Sequence, residues 1–472
     1  MTVGEGRVAA EDSTPAEEEL TRRRSRLAGF SPGPQVAIRV IAALFALYFL
    51  LTTVRAVSLH QQLAVYLGGS LALIFLCYPG RKGSPGHRPS LVDLVWVAVT
   101  IAPTVYFIVN HDAMVLRAGI VSDTDVLFGA MITVASLEGC RRVLGWALPV
   151  LAACFVIYAV FGASFPGVFQ HAGFSAERVI GSIFSSNGVY GIVARTYAVY
   201  VIIFIIFGAF LQLSGAGTAF TNLALALFGR ATGGAAKAAV VSSALAGSVL
   251  GAGAANITVT GTFTIPVMKR TGFSAHKAGA VETVASIGGH LLPPVMGAAA
   301  FLMASFTGIP YTEIVVVSLV PALMLYVTLY ASVHFYAVKH GLKDTTAKLD
   351  VPSFGTTLRR DALLLLPLVV LVASLFLGYS PFRAAVNGIV ATIVIAQVRR
   401  LVYGEKRLGL RGLFEGLSQG ALQSLMVGAT AGVMGVLLAA LLLPGTGLML
   451  SSWIVQLSGG NLFIGLLFIL VA

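Results

Sequence analysis

Long apolar runs broken by short polar or basic stretches recur along the 472-residue chain from about residue 35 onward. A membrane-spanning helix needs roughly 20 apolar residues. On that measure the pattern predicts spans at Val36 to Val57 and at about 63–79, 91–109, 124–140, 143–162, 189–213, 279–306, 313–334, 361–379, 382–398 and 421–443. Residues 1–35 are polar, rich in Glu and Arg, and close on Ser31-Pro32-Gly33-Pro34. That composition predicts a disordered tail, and no small-residue cleavage site follows the first apolar run. Thr218 to Phe228 and Gly412 to Gln423 read as amphipathic helices at the interface.

Two stretches break this pattern. The first, Ser243 to Gly272, is crowded with glycine and threonine and carries one asparagine. Arg230 and Lys237 precede it, and Lys269, Arg270 and Lys277 follow it. Basic residues collect on cytoplasmic loops, so a segment flanked by them on both sides starts and finishes on one face, as a re-entrant hairpin does. Its 30-residue length predicts two half-membrane helices with a tip between Gly251 and Thr262. Irregular backbone at that depth is tolerated only inside protein or beside a wet cavity. Asn256, Thr258, Thr260, Thr262 and Thr264, with Gly261 among them, then offer oxygens to an ion or solute. The alternative is that these small residues serve helix packing alone, as Gly247/Gly251 and Gly428/Gly432 do by their spacing.

The second stretch is Ala280 to Phe301, where Gly288-Gly289 and Pro293-Pro294 interrupt one apolar span. Proline removes a donor and turns the preceding residue away from the helical region, so a discontinuous helix is expected. Such breaks aim half-helix dipoles at an anion and free carbonyls for a cation. Ser286, Gly288, Gly289, His290, Pro293 and Pro294 are the candidate site residues here, with Na⁺ placed near Asn256 and Gly288. Glu282 is a possible ionisable member. It either serves the site, as intramembrane carboxylates do by default, or lies close enough to the cytoplasmic end to snorkel or to pair with Lys277. His290 is either a ligand or proton group, or a satisfied packing histidine.

Composition sharpens this reading. Hydrophobic residues make up 57% of the chain and charged ones 11%, about half the charged share of a soluble domain. The formal net charge of +12 falls in short clusters between apolar runs. That distribution excludes a nucleic-acid face and fits topology instead. With the N-terminus cytoplasmic, Arg81/Lys82/Arg88, Arg141/Arg142, Lys339/Lys343/Lys348/Arg359/Arg360 and Arg399/Arg400/Lys406/Arg407/Arg411 all fall inside. Cys77, Cys140 and Cys154 have no paired spacing and read as buried packing residues. No phosphate loop, His-Glu-x-x-His helix or Gly-x-Ser-x-Gly elbow occurs, so neither an ATP-driven pump nor an enzyme is indicated.

"GAGAANITVTGTFTIPVMKRTGFSAHKAGAVETVASIGGHLLPPVMGAAAFLMASFTGIPY", Gly251 to Tyr311, resembles the large permease of tripartite ATP-independent periplasmic (TRAP) transporters. "LEGCRRVLGWALPVLAACFVIYAVFG", Leu137 to Gly162, is similar to the end of the small-permease half in the fused form of that family. The resemblance implies an all-α polytopic membrane protein, an ion-transporter-type bundle with a re-entrant hairpin and a discontinuous helix. It implies a small-permease-like scaffold at 36–165 and a large-permease-like transport region at 166–472. It further implies Na⁺-coupled uptake of small organic anions across a bacterial inner membrane, and an extracytoplasmic binding protein of the TAXI type that delivers the cargo. No cofactor beyond the coupling ion is implied, with H⁺ the other coupling ion in view. Two departures stand out: Gly251 to Asn256 lacks the two hydroxyls the family carries in the tip, and Ser286 to His290 replaces the family's Ser-Thr-Gly-Gly-Gln. The apolar run from Asn461 to Ala472 is shorter than a span, and the second inverted repeat is largely missing. The expectation is a C-terminally incomplete permease holding half of a site. A permease working without a binding protein, or a passive channel, is the alternative.

Overall fold

The computed structural model describes residues 25–81, 84–117, 119–167, 170–251, 253–342, 353–403 and 409–471. The rest of the expected tail, Ala252 of the hairpin tip, and Lys82, Lys343, Lys348, Lys406 and Arg407 of the basic clusters lie outside them. The described chain is helical throughout its regular structure, and eight helices are long and apolar enough to cross a membrane. The expected all-α polytopic architecture is what the chain adopts.

The chain divides into two compact units. The first gathers residues up to Ile38, Ser58–Arg195 and Leu425–Ala472. It contains α2 (Leu59–Cys77), α3 (Leu91–Leu116), α4 (Asp123–Leu144), α5 (Ala147–Phe161) and α6 (Ala176–Ile183), following α1 (Pro32–Leu51), whose first turns belong to it. Capping boxes start α3 and α4: Ser90 and Asp93, and likewise Ser122 and Asp125, exchange side-chain and backbone hydrogen bonds, which satisfies otherwise orphaned helix N–H groups. On α5, Val150, Cys154, Ile157 and Phe161 form one exposed stripe, the kind of face a bilayer covers. Cys154 is therefore not buried as its apolar context suggested, whereas Cys77 and Cys140 are.

The start of α3 and the end of α4 are tied by a buried ion network. Arg142 Nη1 lies 2.6 Å from Asp93 Oδ1, and Arg142 Nε donates to Glu138 Oε1 at 2.9 Å. Arg142 also donates to the Tyr78 carbonyl and covers the Phe75 ring. Arg26 reaches Asp93 Oδ2 at 3.1 Å and donates to the Pro85 carbonyl. Residues 25–35, assigned by composition to a disordered tail, are thus folded: Leu27 and Phe30 are buried, and α1 begins at Pro32. An arginine with a buried carboxylate to meet is held more firmly than composition alone predicts.

The second unit comprises Arg39–Val57 and Thr196–Ser424. Within it run α7 (Ile192–Leu213, from Thr196), α8 (Ala216–Phe228), α9 (Gly234–Leu250), α10 (Gly253–Arg270), α11 (Ala275–Gly288), α12 (Ala298–Thr307), α13 (Tyr311–Lys339), α14 (Phe354–Asp361), α15 (Leu366–Phe376) and α16 (Pro381–Tyr403). A π-helical turn, Tyr197–Val201, sits inside α7. A 33-residue helix, α17 (Leu410–Leu442), begins in this unit. Gly412 to Gln423, expected to lie in the interface as a separate piece, forms its first turns. Apolar and small residues continue without a breaker into the span, so the helix does too. α18 (Thr446–Ser458) and α19 (Leu462–Val471) follow.

The core around the hairpin is built from small residues. Ala235, Ala236 and Ala239 of α9, Met268 of α10, Ala278, Val281 and Ala285 of α11, and Tyr326, Val333 and Ala337 of α13 bury one another. Small side chains bring these helix axes close, the packing mode available where lipid supplies no hydrophobic drive.

Candidate functional site

Both interruptions read from the sequence are present, and they are docked on one another. α9 and α10 form the hairpin and meet at Gly251, which is left-handed at φ +59°. The irregular turn is shorter than expected. Residues from Gly253 on are helical, so the threonines stand on a helix instead of at the tip. Thr260 Oγ1 reaches the Asn256 carbonyl and Thr264 Oγ1 the Thr260 carbonyl one turn back, so these hydroxyls have acceptors within the helix. At 17 and 18 residues, the arms are roughly 25 Å long at 1.5 Å per residue, more than half a bilayer.

The helix break is as predicted. α11 ends at Gly288, α12 starts at Ala298, and the residues between them have no regular helix. Their backbone groups find partners in turns and across the hairpin. His290, Leu291 and Leu292 N–H groups donate three residues back. Val295 N–H donates to the Ser248 carbonyl at 3.0 Å, and Gly297 N–H to the His290 carbonyl at 2.8 Å. The Gly253 N–H donates to His290 Nε2 at 2.7 Å, which makes that nitrogen an acceptor and ties break to tip. Tyr311 Oη donates to the Pro294 and Val295 carbonyls at 3.0 and 2.6 Å. The Tyr311→Phe variant is expected to lose about 0.5–1.5 kcal/mol of stability, read as a lowered thermal midpoint of the purified protein in detergent.

Beneath this junction lies a buried carboxyl. Glu282 has no exposed surface and is surrounded by four hydroxyls from three helices. Ser243 Oγ of α9 lies 2.8 Å from Oε1, Ser286 Oγ of α11 3.0 Å from Oε1, and Thr264 Oγ1 of α10 2.5 Å from Oε2. Thr260 Oγ1 bonds Oε1 as well. Gly261 makes room for it: a Cβ there would stand 3.2 Å from Glu282 Cγ. The alternative that Glu282 snorkels or pairs with Lys277 is overturned, since Lys277 lies over the Tyr336 ring. Ser243 and Ser286 donate to the carboxyl, while Thr260 and Thr264 each have one hydrogen to place either on it or on the carbonyl one turn back.

Asn256 connects this carboxyl to the break. Its Nδ2 donates to the Ser243 carbonyl at 2.8 Å and approaches the Ser286 carbonyl at 3.4 Å. Its Oδ1 is buried and has no hydrogen-bond partner among the described residues. A buried acceptor left this way is a place for a water or a cation. Gly247 and Gly289 allow the approach: a Cβ on Gly289 would lie 2.5 Å from Gly247 Cα. Gly288 packs instead against Leu325 and Tyr326, whose hydroxyl donates to the Ala285 carbonyl.

The expected residues therefore divide. Asn256, Thr260, Gly261, Thr264, Ser286, Gly289, His290 and Glu282 converge; Gly251 and Pro293-Pro294 shape the two turns. Thr258 and Thr262 are exposed and stand away from the cluster, because a helix turns 100° per residue and only the 256, 260, 264 face meets α9 and α11. Ser243, Tyr311 and Tyr326 were missed. The signal for Ser243 was available: it and Thr260 lie equally far in sequence from the midpoint of positions 251 and 252, as do Gly247 and Asn256.

The family described as "Tripartite ATP-independent periplasmic transporter, DctM component" matches residues 131–472. A relative from Salmonella typhimurium, "Uncharacterized protein YgiK", is 22% identical over 237 residues, 49% of this chain and 52% of that protein. The chain thus spans about half the length of the curated relative it matches.

Proposed function

This chain belongs to the DctM component family of tripartite ATP-independent periplasmic transporters, and from that membership we propose that it is the membrane permease of a secondary transporter for small organic acids. In this reading Na⁺ drives uptake across a bacterial inner membrane, with the N-terminus cytoplasmic. An extracytoplasmic binding protein, of the TAXI type, presents the cargo. Residues 36–165 act as scaffold and 166–472 as the transport region. The observation that carries the proposal is Asn256 Oδ1, buried where hairpin and break meet and unpartnered among the described residues. Asn256 and carbonyls freed by the break would hold the cation, and a bound cation would draw the organic anion beside it. His290, fixed by the Gly253 N–H, stands at the same junction.

Proteoliposomes holding the full-length permease, given the cognate binding protein and a labelled dicarboxylate, test this. Uptake is expected to saturate, to need the binding protein and to need an inward Na⁺ gradient. Asn256→Ala should lower it about tenfold or more, equivalent to about 1.4 kcal/mol of cation affinity. Uptake indifferent to Na⁺ and to the binding protein, or a passive conductance, would overturn the proposal.

A further inference from the structure

We propose that a groove between α11 and α13 holds an anionic phospholipid of the surrounding bilayer, with its headgroup at Lys277 and an acyl chain along the apolar walls beyond. The groove encloses about 180 Å³. Lys277, Val281 and Val284 line it from α11, and Leu329, Val333 and Tyr336 from α13. Each triplet is spaced i, i+4, i+7, which keeps side chains on one helix face. Seven steps along each helix make the groove roughly 10 Å long at 1.5 Å per residue. It lies away from the junction of hairpin and break. At 100° per residue, Lys277 and Val284 fall roughly opposite Glu282 and Ser286 on α11.

The groove is polar at one end and apolar at the other. At the polar end the Lys277 ammonium lies 5.0 Å from the centre of the Tyr336 ring. Stacking on Phe273 and His340, at 5.7 and 4.1 Å between centroids, fixes that ring. Lys277 is exposed and makes no ion pair among the described residues, so its ammonium keeps donors for an anion. Ser332, exposed one turn from Tyr336, adds a hydroxyl. Lys269 and Arg270 at the end of α10, His276 at the start of α11, and Lys339 and His340 at the end of α13 are exposed beside it. The acids of these helices do not offset them: Glu282 is enclosed on the other side of α11, and Glu313 stands at the opposite end of α13. Basic pockets between membrane helices suit anionic headgroups by this complementarity of charge.

Depth selects a lipid over a dissolved anion. Tyr336 is three residues and Leu329 ten residues from the end of α13 at Lys339, so the groove runs from roughly 5 to 15 Å below that end. A hydrocarbon core roughly 30 Å thick gives each leaflet roughly 15 Å, which places the apolar walls at the depth of acyl chains. Val284 is exposed and Leu329 half-buried, so the apolar end opens sideways. Val316, Val320, Met324 and Val327 of α13 are exposed as well, a face that a bilayer covers. A dissolved anion would use only the charged end, whereas a phospholipid uses both. The proposal needs the chain to sit in a bilayer and does not rest on the transport reading.

Native mass spectrometry of the full chain, released from nanodiscs of equal phosphatidylglycerol and phosphatidylcholine, counts the lipid that stays bound. The parent protein is expected to retain phosphatidylglycerol in preference. Lys277→Met, which keeps the stem and removes the charge, should lower that preference about fivefold, equivalent to about 1 kcal/mol. Lys277→Arg should keep it. Val284→Phe, which fills the apolar end and leaves the charge, should cut retention of both lipids by about half or more. Arg383→Met is the control, since Arg383 of α16 lies over the Tyr379 ring in the same way; it should change neither reading. Equal retention of the two lipids, no effect of Lys277→Met, or an equal effect of Arg383→Met would each overturn the proposal. Phosphatidylglycerol displaced by millimolar inorganic phosphate would overturn it too, by showing a site for free anions. A dimer carrying no lipid would do the same, by showing that a second copy closes the groove.

Discussion

Arg142→Met is expected to destabilise the first unit by about 3 kcal/mol, toward the lower end of the 3–5 kcal/mol found when one partner of a buried ion pair is removed. Both side chains of the Arg142–Asp93 pair are almost fully enclosed, at 1% exposure each. Methionine fills much of the same volume but supplies no donor. Asp93 would keep Arg26 and the Ser90 N–H and hydroxyl, and Glu138 would keep Arg141, which is why the loss falls short of the full range. The Tyr78 carbonyl would lose its donor too. Thermal unfolding of the purified protein in detergent reads this as a lowered midpoint. Removing the acid as well, in Asp93→Asn/Arg142→Met, should recover part of the loss, because the uncompensated charge goes with it. An unchanged midpoint in the single variant would show that water reaches the network and that its burial is not what matters.

Gly289→Val should have the larger effect on function. The Cβ it adds would stand 2.5 Å from Gly247 Cα and 2.8 Å from the Gly247 carbonyl carbon. These are backbone atoms in the last turn of α9, and no side-chain rotation relieves them. Overpacking of this kind costs about 1–3 kcal/mol where side chains can shift, so the variant should reach or exceed that range and push the break off the hairpin. Binding-protein-dependent uptake is expected to be lost. A cysteine placed at Asn256, shielded in the parent protein, should become reactive to a membrane-impermeant thiol reagent. Gly279→Ala is the control: a Cβ there meets nothing within 4 Å, and the added methyl should leave both readings unchanged. Wild-type uptake in Gly289→Val would mean that the two interruptions need not touch.

Much of this molecule was legible in its residues, for identifiable reasons. Glycine and proline act on their own backbone, so the turn at Gly251 and the break between Gly288 and Ala298 could be placed without knowing any neighbour. The limits of the hairpin tip were misjudged because threonine was read for its polarity. In a helix its hydroxyl can reach the carbonyl one turn back, as Thr260 and Thr264 do, so a threonine finds an acceptor without any break in 253–270. Arg26 was misjudged likewise, because its acidic partner lies 67 positions away. Glu282 was left between two roles because a carboxylate's meaning depends on its neighbours, and Lys277 was the nearest cation in sequence.

The sequence by itself determined that the chain is a membrane bundle of helices, where its regular backbone fails, and which family it resembles. Those properties follow from local chemistry: apolar run length, the missing amide of proline, the missing side chain of glycine. The tertiary structure decided which oxygens meet. It selected Thr260 and Thr264 over Thr258 and Thr262, added Ser243, set Gly247 against Gly289, and enclosed Glu282 among four hydroxyls. Convergence of side chains from different helices depends on the rotation of each helix about its axis. Small-residue packing between helices sets that rotation, and no single segment encodes it.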